Sequence, residues 1–267
     1  MGADIKSLRT RIKSVDSTLH LTKAMGLVAS SKIRKATEAM NRSKEYRRAV
    51  CKVVEMLTSC SECKKSPYMK YRGDARTRLI VIAGDRGMAG GYNANVFRTA
   101  RAYPEAEFIT IGKRACDRFG KEQNSSEFFS YADAYAIAEK LCADFTEEKF
   151  DRLGIISTKY ISMLSQEAQV TWVLPLSASG KKSSDDVIFE PDELTILNSA
   201  IPEYIAGMLF SAVRESFACE VMARRTAMDS AGKNAQEMID DLQLKYNRAR
   251  QGAITQEITE IVAGSGE

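Results

Sequence analysis

The chain has 267 residues, 44% hydrophobic and 28% charged, with a formal net charge of +4, an ordinary balance for a globular protein with a sizeable core. No stretch reads as the ~20 apolar residues of a membrane span. A single histidine, His20, argues against Ser-His-Asp or Cys-His catalysis and against His-rich zinc sites, and six scattered cysteines predict reduced thiols.

The opening residues, MGADIKSLRTRIK, lack the apolar core of a secretory signal and run directly into a heptad pattern, so the expected compartment is the cytoplasm. From Ile5 the apolar residues recur by steps of three and four through Leu8, Ile12, Val15 and Leu19. Continued to Leu57, the same steps give sixteen positions, and only Thr22, Gly26, Ser43 and Arg47 among them are not apolar. No proline precedes Pro67, so residues 1–60 read as one long helix with a single seam for one partner helix.

The pattern then changes. TRLIVIAG (77–84), FITIG (108–112), EFFSY (127–131), RLGIISTKY (152–160) and QVTWVLPL (169–176) read as short strands. Between them, 93–103, 113–120 and 132–149 read as helices, which predicts a parallel α/β domain over 76–198. SASGKKSSDD (177–186) reads as a polar loop.

After Pro202 a second proline-free segment, 203–265, carries apolar residues at Ile205, Leu209, Val213, Phe217, Val221, Met228, Ala235, Met238, Leu242 and Tyr246. Its spacing is looser than seven, as in a seam with stutters. Residues 1–50 hold 12 Lys/Arg against 4 Asp/Glu, a net of +8, whereas 203–267 hold 7 against 10, a net of −3. Opposite charges on two single-seam helices predict an antiparallel coiled coil with the α/β domain between them in sequence, the other reading of the pattern being two long helices on a larger helical bundle.

The candidates for chemistry are few. AGDRGMAGGYNANV (83–96) follows a strand and opens a helix, but its glycines fit neither G-x-G-x-x-G nor the Walker pattern, and a tight turn is the better reading. Cys60-Ser-Glu-Cys63 closes a helix rather than opening one and has no second pair, so neither zinc nor thioredoxin-type chemistry follows. The basic first helix, with Lys32, Arg34, Lys35, Arg47 and Arg48, leaves a coiled-coil nucleic-acid-binding protein as the alternative. No nucleophile, metal site or cofactor site emerges.

Three motifs carry a family resemblance: LTKAMGLVASSKIRKA (21–36), DRGMAGGYNANV (85–96) and LQLKYNRARQGAITQEITEIVAG (242–264). Together, over the whole chain, they resemble the γ subunit of F-type ATP synthases. The resemblance implies a long antiparallel coiled coil with a central Rossmann-like domain, acting as a rotor between the membrane c-ring and the ring of α and β subunits, with the ε subunit beside it. It implies a subunit that is not catalytic alone, binds no nucleotide or nucleic acid directly, and sits peripherally on the cytoplasmic face of the membrane. Arg250, Gln251 and Thr255 match contacts to a catch loop of a β subunit. Lys23, Met25, Arg86 and Ala89 match positions facing the lower, lever part of β, and Ala89 stands where many members have cysteine. Ile258, Ile261 and Val262 match an apolar tip that runs in a hydrophobic bearing.

Overall fold

The computed structural model describes residues 2–73, 75–120, 125–177 and 189–264, so most of the 177–186 loop lies outside the described residues. Two units are distinguished, one of residues 2–30 with 224–264 and one of residues 31–223. Two long helices contribute to both: α1 (Gly2–Ser59) and α5 (Glu193–Gly264).

In the first unit the two helices pair antiparallel. Leu19 and Val15 pack with Ala235 and Ile239. One turn further along α1, Thr22 Oγ1 lies 3.6 Å from where a Gly232 Cβ would stand, and Gly26 lies against Arg225, Met228 and Asp229. Partner numbers fall on α5 as they rise on α1, which fixes the direction. All sixteen positions of the α1 seam are buried or half-buried, the four non-apolar ones included. Thr22 and Ser43 are tolerated there because each hydroxyl donates to its own helix, to Leu19 O at 2.9 Å and Met40 O at 2.8 Å. On α5 the inward residue is Ile239; Met238, the expected seam position, is 46% exposed.

The second unit is a four-stranded sheet in the order β2-β1-β3-β4, with β1 (Thr77–Ile82), β2 (Glu107–Ile111), β3 (Arg152–Tyr160) and β4 (Gln166–Leu174). β1 pairs in parallel with β2 and β3, as the alternating pattern predicts. β4 runs antiparallel to β3, because the turn closed by Ser162 and Ser165 is too short for a crossover.

EFFSY is not a strand: Ser130 caps α4 (Tyr131–Thr146) and shares a capping box with Asp133, which commits the segment to a helix start. β1 is buried on both faces. Ile80 and Ile82 join the core shared with α1, α4 and α5, while Leu79 and Val81 meet α2 (Tyr92–Arg101) and α3 (Lys113–Phe119).

α5 begins at Glu193, upstream of the expected 203, and carries Pro202 inside it. The proline removes one helix hydrogen bond, but Leu197, Ile201 and Ile205 are fully buried around it, and Asp192 Oδ1 accepts the Thr195 N–H at 2.9 Å at the helix start. Packing of that turn outweighs the missing donor. An 18-residue window of α5 is as apolar as a membrane span, with mean hydropathy 1.3, contrary to the sequence expectation, and 56% of it is buried inside the protein. Residues 209–222 are buried on nearly every side rather than along one seam, which accounts for that apolarity.

Candidate functional site

The turn after β1 is built by its glycines and two polar side chains. Gly112, at φ +94°, is forced by contact: a Cβ there would fall 2.0 Å from Ala83 O. Asn93 Oδ1 accepts the Gly84 N–H at 2.9 Å and its amide donates to Arg86 O at 3.4 Å, closing the loop on itself. Asp85 accepts from Ser125 Oγ at 2.6 Å and from the N–H groups of Ser126, Glu127 and Lys113 at 3.0, 3.0 and 3.1 Å. Burial pushes the Asp85 carboxyl upward, but these donors together outweigh it and hold it below the usual carboxylate value.

The turn is docked on α5. A Gly84 Cβ would stand 2.6 Å from Glu220 Cδ, Ala89 and Tyr92 pack on Cys219, and Tyr92 Oη donates to Ser216 O at 3.0 Å. A buried carboxylate therefore occupies the space against the glycine where a phosphate would have to approach, consistent with a tight turn and not a nucleotide cradle. Burial and the nearby Glu220 raise the Tyr92 phenol far above its ordinary value, so it stays a donor.

Further along, Ser216 Oγ accepts the Thr158 N–H at 3.1 Å and Glu215 Oε1 the Tyr160 N–H at 3.0 Å, capping the part of β3 that extends beyond β1. Glu215, Ser216 and Glu220 were not singled out by sequence reasoning, which followed Phe217 and Val221 as a seam. The available signal was charged and hydroxyl side chains on an otherwise apolar helical stretch.

The expected contact residues fall in several places. Ala89 is 3% exposed, its methyl against Tyr92 and Cys219, so it offers no side-chain surface to a partner and is a packing residue. Arg86 is exposed on the same turn, next to Met88, which is 59% exposed. On α1, Lys23 is exposed and Met25 half-buried. Leu21, Met25 and Val28 recur at helical spacing beside the seam, with Leu21 56% and Val28 52% exposed, so the exterior here carries an apolar ridge.

On α5, Arg250, Gln251 and Thr255 are all exposed, and Thr255 Oγ1 donates to Gln251 O at 2.9 Å, tying the two into one turn. Ile254, Ile258 and Ile261 form an exposed stripe, with Val262 beside it. The six cysteines are all free, Cys60 and Cys63 included. Among the described residues no cluster of His, Cys, Asp or Glu is arranged to hold a metal ion.

These elements define a class: a two-helix coiled-coil protein with an α/β domain between its helices in sequence. The family model described as ATP synthase matches residues 4–266. The chain is 42% identical to the ATP synthase gamma chain of Ruminococcus albus, over 98% of each chain. It is 36% identical to the sodium-ion-specific ATP synthase gamma chain of Acetobacterium woodii, over 99% of each. Among solved structures it resembles a chain of the Euglena gracilis mitochondrial ATP synthase in an OSCP, F1 and c-ring assembly, with TM-score 0.70 and 18% identity over 99% of this chain and 94% of that one. A chain of the Tetrahymena thermophila central stalk and c-ring superposes with TM-score 0.62 and 21% identity, over 79% of this chain and 99% of that one. The chain belongs to the ATP synthase gamma-chain family. These matches give no support to the nucleic-acid alternative, and two of the cations that motivated it are paired within the chain, Lys32 with Glu127 and Arg34 with Glu38.

Proposed function

We propose that the chain is the central-stalk rotor of an F-type ATP synthase, coupling ion flow through a membrane c-ring to catalysis on a ring of α and β subunits. The match to gamma chains along nearly its whole length carries this reading. It performs no chemistry alone; it turns, and its asymmetric surface favours different β conformations at different angles. A shaft shifts those conformations only by contacting them unequally.

The exposed surfaces fit that task. Arg250, Gln251 and Thr255 offer polar, replaceable contacts to a β catch loop. The Leu21–Met25–Val28 stripe with Lys23 beside it presents an apolar ridge and a cation to the β lever, and Arg86 presents a second cation. Ile254, Ile258, Ile261 and Val262 form the apolar tip for the bearing. The α/β domain meets ε and the c-ring, and the assembly sits peripherally on the cytoplasmic face of the membrane.

The test is reconstitution with α and β subunits of a gamma-chain relative. The chain is expected to co-purify with them and to rotate during ATP hydrolysis when the β subunits are surface-anchored. Failure to assemble, or ATP hydrolysis by the chain alone, overturns the reading.

A further inference from the structure

Arg47 stands at an inward position of the α1 seam, where the pattern calls for an apolar residue, and it is half-buried. It lines a cavity of about 350 Å³ bounded by α1, α5 and one face of β3 and β4. That sheet face changes character along its length. Ile155 belongs to the main core, but the next residues on the same side of β3 are Ser157 and Lys159, with Thr171 and Gln169 opposite Ile155 and Ser157 on β4. Arg48 completes the polar lining.

No side-chain hydrogen bond or ion pair to another described residue engages Arg47, Arg48, Lys159, Ser157, Gln169 or Thr171. Lys44, the fourth cation of the cavity, is already neutralised: its Nζ lies 2.8 Å from Glu215 Oε1. Four cations thus line one cavity against a single carboxylate, Glu215, which Lys44 already engages, beside two hydroxyls and an amide able to donate; a further carboxylate, Glu167, stands opposite Lys159 on β4. Arg47 is half-buried while Arg48 and Lys159 are exposed at the rim, and like charges around a cavity repel. A bound anion removes that repulsion.

We propose that this cavity is a binding site for a small phosphorylated anion, inorganic phosphate, pyrophosphate or a phosphate ester. A guanidinium at half-burial suits bidentate contact with a tetrahedral oxyanion, and the hydroxyls of Ser157 and Thr171 with the Gln169 amide supply donors for its remaining oxygens. A phosphate monoester carries about two negative charges near neutrality, close to balancing the three cations that Glu215 does not engage. The volume lies at the small end of ligand sites, roughly 300–1,000 Å³, which favours a compact anion over a large one.

The experiment is calorimetric titration of the full chain with inorganic phosphate, pyrophosphate and ATP, each without magnesium. Saturable binding of at least one probe at one site per chain is expected. Arg47→Gln and the exposed-site variant Lys159→Gln should each weaken it at least tenfold. Arg98→Gln, an exposed cation on α2 away from the cavity, should leave it unchanged. Tighter binding of inorganic phosphate than of ATP assigns the site to the free ion, and the reverse order to an ester. Absence of saturable binding for all three probes, or equal weakening by Arg98→Gln, overturns the site.

Discussion

Gly84 is packed so closely on Glu220 that a methyl group on it would lie 2.8 Å from the Glu220 Oε1. Gly112, by contrast, would drive its methyl 2.0 Å from a backbone oxygen, Ala83 O, from a left-handed conformation. A side chain can rotate away and a backbone cannot. Gly84→Ala is therefore expected to cost about 1–2 kcal/mol, and Gly112→Ala about 3 kcal/mol or more. Urea unfolding followed by circular dichroism ranks the two; the reverse order counts against this account of the turn.

Asp85 ties the turn to Ser125, Ser126 and Glu127, and its carboxyl is held below the ordinary value of 3.8. Its folded value is depressed, so the stability it contributes is fully present above 3.8 and is lost as pH falls through the folded value. Asp85→Asn should cost about 1–3 kcal/mol at neutral pH, with the gap to the parent narrowing in acid. Unfolding midpoints measured from pH 7 down to about 3 test this, and a gap independent of pH rules it out.

The seam of α5 runs through Ile239 and not Met238. Ile239→Ala should destabilise the paired helices by about 2–4 kcal/mol, whereas Met238→Ala should stay within about 0.5 kcal/mol. Hydrogen exchange on residues 224–250 distinguishes them, since opening of the pair exposes its amides. Equal effects would mean that the stutter lies elsewhere.

Arg250 and Gln251 are exposed and outside the seam. Arg250→Ala and Gln251→Ala should leave the melting temperature of the chain unchanged and lower ATP turnover several-fold in the reconstituted complex. Unchanged turnover removes the catch-loop assignment while leaving the rotor reading in place.

Thiol labelling should follow burial. Desolvation pushes Cys63 and Cys142 up to about 11 and Cys219 up to about 12, while Cys51 and Cys60 are only half-buried. Mass spectrometry after brief iodoacetamide treatment at pH 8 should find Cys51 and Cys60 modified first. Rapid modification of Cys219 would show that the packing of the turn on α5 opens readily.

Much of the fold was legible because it repeats. The α1 seam advances by three and four residues for its whole length, and a helix with one partner must bury that stripe; even Thr22, Gly26, Ser43 and Arg47 fall inside it. β1 and β3 announced themselves as short β-branched runs. Where the sequence carried two compatible readings, it misled. EFFSY has strand-like residues, but Ser130 and Asp133 also make a helix cap, and the cap prevails. Pro202 reads as a helix boundary, yet the core around Leu197 and Ile205 holds the helix through it.

By itself, then, the sequence determined the two long helices, their opposite charge, the parallel centre of the sheet and the family, because periodicity and ordered motifs are local properties. Tertiary structure alone decided the rest. It buried Ala89 on Cys219 and set Glu215, Ser216 and Glu220 against β3 and the turn. It also left Arg47, Arg48 and Lys159 around one cavity. Those facts depend on which residues of different elements meet, across 55 and 58 residues for Glu215 and Ser216 on β3, and no local pattern records such a meeting.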